Sequence, residues 1–229
     1  MEAGSRDLAG QRAMAEKAKS IRIDGRKLRF RKGQTVLDIA REHGIDIPTL
    51  CHHEALEPYG SCRLCVVEVT GGTRTRTMAS CVTPAEDGMV VKTSTPAIKE
   101  IRKTLIALLL ARCPNIESIK AMARKLGVRK APFPESDEDC YLCGMCVRAC
   151  AEIVGVKAIG FAGRGHESIV APPFGLVSNA CIGCGTCTTI CPARTFDLEK
   201  VFARRGMHRM EGADRVGRCI ICETYYTGG

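Results

Sequence analysis

The alternation of apolar and polar residues sets out a short hairpin first. Ile21-Arg22-Ile23 and Leu28-Arg29-Phe30 alternate with period two around Asp24-Gly25, a pair that favours the positive φ of a tight turn. Two strands are therefore predicted, over 21–25 and 26–30. The period then becomes helical. Val36, Ile39 and Ala40 share one face of a predicted helix over 35–41, and Gly44 suits its C-terminal cap. Val66-Val67-Glu68-Val69, Gly71-Gly72 and residues 73–78 repeat the hairpin pattern, and 88–91 supplies a closing strand. Thr95 and Pro96 carry the N-cap and first-turn signals of a longer helix ending near Arg112. Its apolar stripe is read as Ile98, Ile101, Leu105, Leu108 and Leu109. A further helix is predicted over 116–126, capped by Asn115 and closed by Gly127. These two helices form a connector over 96–134. After it the periodicity fades, except for a short helix predicted over 196–203. Residues 1–20 form a polar arm, with a short amphipathic stretch over 9–19.

Cysteines change this picture more than any other residue type. Cys51, Cys62, Cys65 and Cys81 fall on the first unit, 21–95, whose order of hairpin, helix, loop and further strands is that of a β-grasp ferredoxin. Four thiolates there supply two ligands to each iron of a [2Fe–2S] cluster, although plant-type ferredoxins use a gap of four before the C-x2-C pair, shorter than the one here. Gly60 permits the close backbone approach that N–H donors to cluster sulfur require. His52 and His53 raise a Rieske pattern, but four cysteines already complete the site, so these rings are expected beside the cluster or in solvent.

Two copies of C-x2-C-x2-C-x3-C follow, Cys140-Cys143-Cys146-Cys150 and Cys181-Cys184-Cys187-Cys191. This is the ligand pattern of a two-cluster bacterial-type ferredoxin, in which the fourth cysteine of each run serves the other cluster. One [4Fe–4S] cluster is assigned to Cys140, Cys143, Cys146 and Cys191, the second to Cys181, Cys184, Cys187 and Cys150. Zinc prefers paired C-x2-C halves with four donors per ion and fits these triplets poorly. The fold class is thus α+β: a β-grasp [2Fe–2S] unit, a helical connector, a 2×[4Fe–4S] ferredoxin unit over 135–205 and a tail over 206–229. The two ferredoxin units are expected to have separate cores. Gly160-Phe161-Ala162-Gly163-Arg164-Gly165 is read as a turn between strands rather than a phosphate loop.

Three of the fifteen cysteines stay unassigned, Cys113, Cys219 and Cys222. With His208 they could complete a zinc site or a fourth cluster. A site shared with a partner chain, and unligated or merely structural thiols, are the other readings.

Charge and composition narrow the class further. The formal net charge is +9. A four-thiolate cluster carries about −2, so three clusters would leave about +3. The basicity is compensation for cofactor charge, and nucleic-acid binding is not expected. No apolar h-region opens the chain, and the apolar run 105–111 is far too short to span a membrane. Clustered thiols without a signal sequence indicate a cytoplasmic setting.

Several stretches in combination resemble a known family. They are Leu50-Cys51-His52-His53-Glu54, Gly60-Ser61-Cys62-Arg63-Leu64-Cys65, Cys81-Val82-Thr83-Pro84, Arg148-Ala149-Cys150-Ala151-Glu152 and Phe161-Ala162-Gly163-Arg164-Gly165. The family comprises the iron–sulfur diaphorase subunit of bidirectional NAD-linked hydrogenases and the N-terminal part of the large iron–sulfur subunit of complex I. Matching parts of NAD-linked formate dehydrogenases belong to it too. The resemblance covers residues 20–195. It implies an electron-transfer subunit with a flavoprotein partner holding FMN and NAD(P), and a catalytic partner such as a hydrogenase or formate dehydrogenase. That family usually carries one more cluster, held by one His and three Cys. Here Cys113 stands in the place of the His, and 115–138 holds no cysteine, so this cluster is expected to be missing. A bifurcating transhydrogenase-type complex also fits. Competing readings are a free polyferredoxin shuttle, the iron–sulfur subunit of succinate dehydrogenase or fumarate reductase, and a zinc-binding interaction module. No Rossmann fingerprint, Walker loop or hydrolytic triad is legible, so no catalytic residue is expected.

Overall fold

The computed structural model describes residues 19–175 and 180–195, together with two-residue strands at 217–218 and 225–226. The predicted arm before Lys19, the helix over 196–203, and His208, Cys219 and Cys222 lie outside the described residues.

A five-stranded mixed sheet forms the first half. Strands β1 (Ser20–Ile23) and β2 (Arg26–Arg29) pair antiparallel around Asp24 and Gly25, both at positive φ. Helix α1 (Val36–Glu42) follows. Thr35 is its cap rather than its first residue: the Thr35 hydroxyl accepts from the Asp38 amide, and the Asp38 carboxylate accepts from the Thr35 amide. Strands β3 (Val66–Gly71) and β4 (Arg74–Ala79) make the second hairpin. Strand β5 (Val90–Lys92) slots between β1 and β3, parallel to the first and antiparallel to the second. The resulting order is β2-β1-β5-β3-β4. Ile21, Ile23, Val67, Val69 and Val91 point to one face and bury against Val36, Leu37, Ile39 and Ala40 of α1. Cys65 and Cys81 belong to this same core.

Helix α2 (Pro96–Arg112) begins at Thr95, whose hydroxyl accepts from the Ile98 amide. Its buried face is Ile98, Arg102, Ile106, Ala107, Leu110 and Ala111. The predicted stripe is therefore out of phase, and Leu108 is among the exposed apolar residues. Five large aliphatics between 105 and 110 leave the phase undecided in the sequence. Arg102 settles it by turning inward, where its Nε and Nη2 donate to the carbonyls of Leu64 and Val66 at 2.9 and 2.8 Å. Helix α3 (Glu117–Lys125) packs back on α2. Ile116 is its N-cap residue and makes no side-chain cap bond, whereas Asn115 donates to the Asp137 carboxylate at 3.0 Å. The predicted Asn115 cap is thus not formed.

Short elements carry the rest: α4 (Met145–Arg148), a π-helical turn Ala149–Ile153, strands β6 (Gly160–Ala162) and β7 (Ile169–Ala171), and α5 (Thr186–Thr189). The glycines of 160–165 lie in and beyond β6, at the turn into β7, as the turn reading requires. Beyond residue 195 only the pair β8 (Gly217–Arg218) and β9 (Tyr225–Tyr226) is described.

The cores are not separate. Leu50 and Leu64, from the cysteine loops of the sheet unit, pack with Ile106, Leu110 and Ile119 of the connector and with Tyr141. Cys62 and Cys143 adjoin the same cluster. A second shared cluster joins Leu56 to Met145, Cys146, Ala149 and Ile190.

Candidate metal centre

Loops at one end of the sheet bring four thiols together as two pairs. The sulfurs of Cys65 and Cys81 lie 3.4 Å apart. Cys51 and Cys62 form the other pair: the Cys62 amide donates to Cys51 Sγ at 3.3 Å, and the Leu50 amide donates to Cys62 Sγ at 3.4 Å. In each pair the two thiols shift in opposite directions, one brought down and the other pushed up. A hydrogen bond from Cys62 brings Cys51 down to about 6 against the opposing effect of burial, and the Cys62 and Ser61 amides and the charge of Arg148 assist. The same hydrogen bond and desolvation push Cys62 up. Cys65, bonded to Cys81, is likewise brought down to about 6, and Cys81 is pushed up. Among the described residues no three His, Cys, Asp or Glu side chains converge on a point that would suit one ion. Two close thiol pairs, each supplied with backbone N–H donors, fit a binuclear cluster with two thiolates per iron.

Gly60 sits at φ +69°, where a side chain is strained, and a Cβ there would press on Val82 at 3.3 Å. His53 turns into its own loop, its Nδ1 accepting from the Ala55 amide. His52 is half-buried, and burial first, then the charge of Arg41, lowers it from the usual imidazole range.

The other eight cysteines sit on two loops of matching backbone. Leu142 and Gly183 occupy equivalent places at positive φ, as do Gly144 and Gly185, which precede α4 and α5. Leu142 in that conformation is strained by about 1 kcal/mol, which indicates that the loop shape, not the residue, is what both copies keep. The thiols fall into two neighbourhoods. Cys146 is pushed up to about 12 by burial first, then by Cys143, Cys191 and Cys140. Cys187 is pushed up to about 12 by burial, then by Cys184, Cys150 and Cys181. Each neighbourhood therefore contains the fourth cysteine of the other run. Cys150 Sγ accepts from the Ala158 amide at 3.2 Å, and Cys140 Sγ from the Leu142 amide at 3.4 Å.

The two centres adjoin. Cys143 is pushed up to about 11 by burial, and the charges that add to it include Cys51 as well as Cys191 and Cys140. The buried Tyr141 phenol is raised by desolvation and feels Cys143, Cys191 and Cys62. Tyr141 thus stands between the Cys62 loop and the first four-thiol set.

Cys113 is different. It caps the end of α2 with 0 % exposure, among Leu110, Ala111, Ile116 and Ile119. Burial pushes it up to about 11, which keeps it a protonated thiol.

Three arginines escape sequence reasoning. Arg102 ties α2 to the Cys62–Cys65 loop. Arg112 donates to the carbonyls of Cys140, His166 and Ser168. Arg148 donates to the carbonyls of Cys51 and Glu57. The one available signal was the long Cys51–Cys62 gap. Its extra residues dock on the second unit: Leu56 enters the shared core, and the Glu57 amide donates to the Glu152 carboxylate at 2.9 Å.

Residues 16–96 match the family described as a 2Fe-2S iron-sulfur cluster binding domain. Over 205 residues, 76% of the chain, it is 33% identical to NADP-reducing hydrogenase subunit HndD of Solidesulfovibrio fructosivorans. Over 199 residues, 75% of the chain, it is 33% identical to an NADH-quinone oxidoreductase subunit of Rhizobium meliloti. The chain spans 35% and 23% of the lengths of these curated relatives. A chain in the crystal structure of an NAD+-reducing [NiFe]-hydrogenase in the H2-reduced state superposes with a TM-score of 0.61 and 32% identity. That match covers 68% of this chain and 75% of the other.

Proposed function

This chain belongs to the family of iron–sulfur subunits shared by NAD(P)-linked hydrogenases and NADH-quinone oxidoreductases, and we propose that it works as an electron relay within such a complex. Cys51 with Cys62 and Cys65 with Cys81 hold the two irons of a [2Fe–2S] cluster. Cys140, Cys143, Cys146 and Cys191 hold one [4Fe–4S] cluster, and Cys181, Cys184, Cys187 and Cys150 the other. Bound there, each cluster takes up and passes on one electron at a time.

The observation that carries this reading is the adjacency of the centres. Leu50, Leu64 and Cys62 share a core with Tyr141 and Cys143. This contact supports the proposed order of the relay: [2Fe–2S], then the Cys140 set, then the Cys181 set. The residues do three things for it. They fix spacing through the shared core. Their amides donate to sulfur. Burial excludes water from Cys51, Cys65, Cys81 and Cys146. The connector, 96–134, serves as a spacer, since its buried cysteine, Cys113, sits in aliphatic surroundings as a thiol. No helix among the described residues is long and apolar enough to cross a membrane.

The hydrogenase and NADH-quinone oxidoreductase names of the relatives support the expected partners. A flavoprotein subunit holding FMN and NAD(P) stands at one end, and a catalytic subunit of hydrogenase or formate dehydrogenase type at the other. The test is metal analysis and EPR on anaerobically purified protein. About ten irons per chain and signals from both cluster types are expected. Stoichiometric zinc with a silent dithionite-reduced spectrum would overturn the reading.

A further inference from the structure

Arg148 lies between two cysteines of the second unit, Cys146 and Cys150, yet its guanidinium points at the first. Its Nη1 and Nη2 donate to the carbonyls of Glu57 and Cys51, the latter at 2.7 Å. The guanidinium carbon sits 5.0 Å from the centre of the Tyr59 ring. The residue is 8% exposed, and its Nε is buried with no hydrogen-bond partner among the described atoms. Its contacts are thus carbonyl oxygens and an aromatic face rather than a carboxylate.

A guanidinium keeps its charge at any ordinary pH, and burying one without a counter-charge is costly. Peptide carbonyls and a ring offset part of that cost. Its hydrogen bond to the Cys51 carbonyl sets this positive charge beside the ligand loop of the proposed [2Fe–2S] site. Four thiolates on a binuclear iron site leave a net charge of about −2, and one electron makes it about −3. A fixed positive charge on one side of that site favours the more negative state.

We propose that Arg148 is the positioning residue of the junction, holding the Cys51 loop on the second unit and making the [2Fe–2S] site easier to reduce. This rests on the ligand reading above. The charge is delivered from the helix that carries Cys146 and Cys150, so the potential of the first centre depends on the placement of the second unit. No proton needs to accompany the electron, because the guanidinium is already charged.

The test is an EPR-monitored redox titration of the purified holoprotein, with Arg148→Lys and Arg148→Gln beside the wild type. The wild-type [2Fe–2S] signal checks the ligand reading by itself. Granted that signal, Arg148→Gln is expected to lower the midpoint potential of the [2Fe–2S] centre, with iron content unchanged. Arg148→Lys, which keeps the charge, is expected to stay close to wild type. If Arg148→Gln loses the cluster while Arg148→Lys keeps it, the charge is needed to hold the centre, and the proposal stands in its stronger form. Three results overturn it: both variants titrating like wild type, both shifting alike, or both losing the cluster.

Discussion

The two halves of the molecule place their thiols on very different frames. Cys65 and Cys81 belong to a core of five strands and a capped helix, with Ile21, Ile39, Val67 and Val91 all within it. The set around Cys187 rests on helices of four residues and on loops held at positive φ. Helices that short do not hold themselves together in water. The first site therefore has a scaffold built largely without its ligand, whereas in the proposed reading the second draws much of its order from thiolate–metal bonds. Between them stands a shared cluster, Leu50, Leu64, Ile119 and Tyr141, that belongs to neither frame alone.

Removing iron should break the symmetry most visibly. Chelation under reducing conditions is expected to open 140–195 to hydrogen exchange while the β1–β5 amides stay protected. Equal loss of protection in both regions would show a single folding unit. Truncating the shared cluster should come next. Leu64 is fully buried there, and Leu64→Ala is expected to cost about 2–5 kcal/mol in chemical denaturation. Its distinguishing mark is a change in the EPR line shapes of both neighbouring centres. A change confined to the [2Fe–2S] signal would separate the two units again. Thr35→Ala removes half of a capping box and should cost about 1 kcal/mol, with every EPR signal unaltered.

Cys113→Ala has the smallest expected effect. Iron content should not change. Burial raises this thiol from 9.0 to about 11, so its contribution to stability is present in full below pH 9 and is lost as pH rises through 11. The stability difference between wild type and Cys113→Ala should shrink over that interval. Loss of iron from the variant would restore a ligand role to Cys113.

Much of this arrangement is legible in the amino-acid sequence. Asp24-Gly25 and Gly72 mark both hairpins because positive φ has few tenants. Thr95-Pro96 marks the start of α2 to the residue. Cysteine spacing sorts eight thiols into two interleaved sets, the grouping on which the proposed [4Fe–4S] assignment rests. What stays hidden has one physical cause. An arginine's destination depends on carbonyls left unpaired elsewhere: Arg102 finds those of Leu64 and Val66, and Arg148 that of Cys51, 97 residues away. The inward turn of Arg102 then shifts the buried face of α2 away from the stripe read from its leucines. Likewise the Cys51–Cys62 gap can be counted, but its use as a dock for Arg148 and Glu152 cannot.

The relay order can be read most directly from magnetic coupling. In the fully reduced wild-type protein the [2Fe–2S] EPR signal is expected to be broadened by a reduced neighbour, the cluster of Cys140, Cys143, Cys146 and Cys191. Cys140→Ser, which disables that neighbour, should sharpen it. Cys187→Ser, in the far set, should leave the broadening intact. A [2Fe–2S] signal equally narrow in all three proteins would contradict the direct contact between the first two centres on which this account rests.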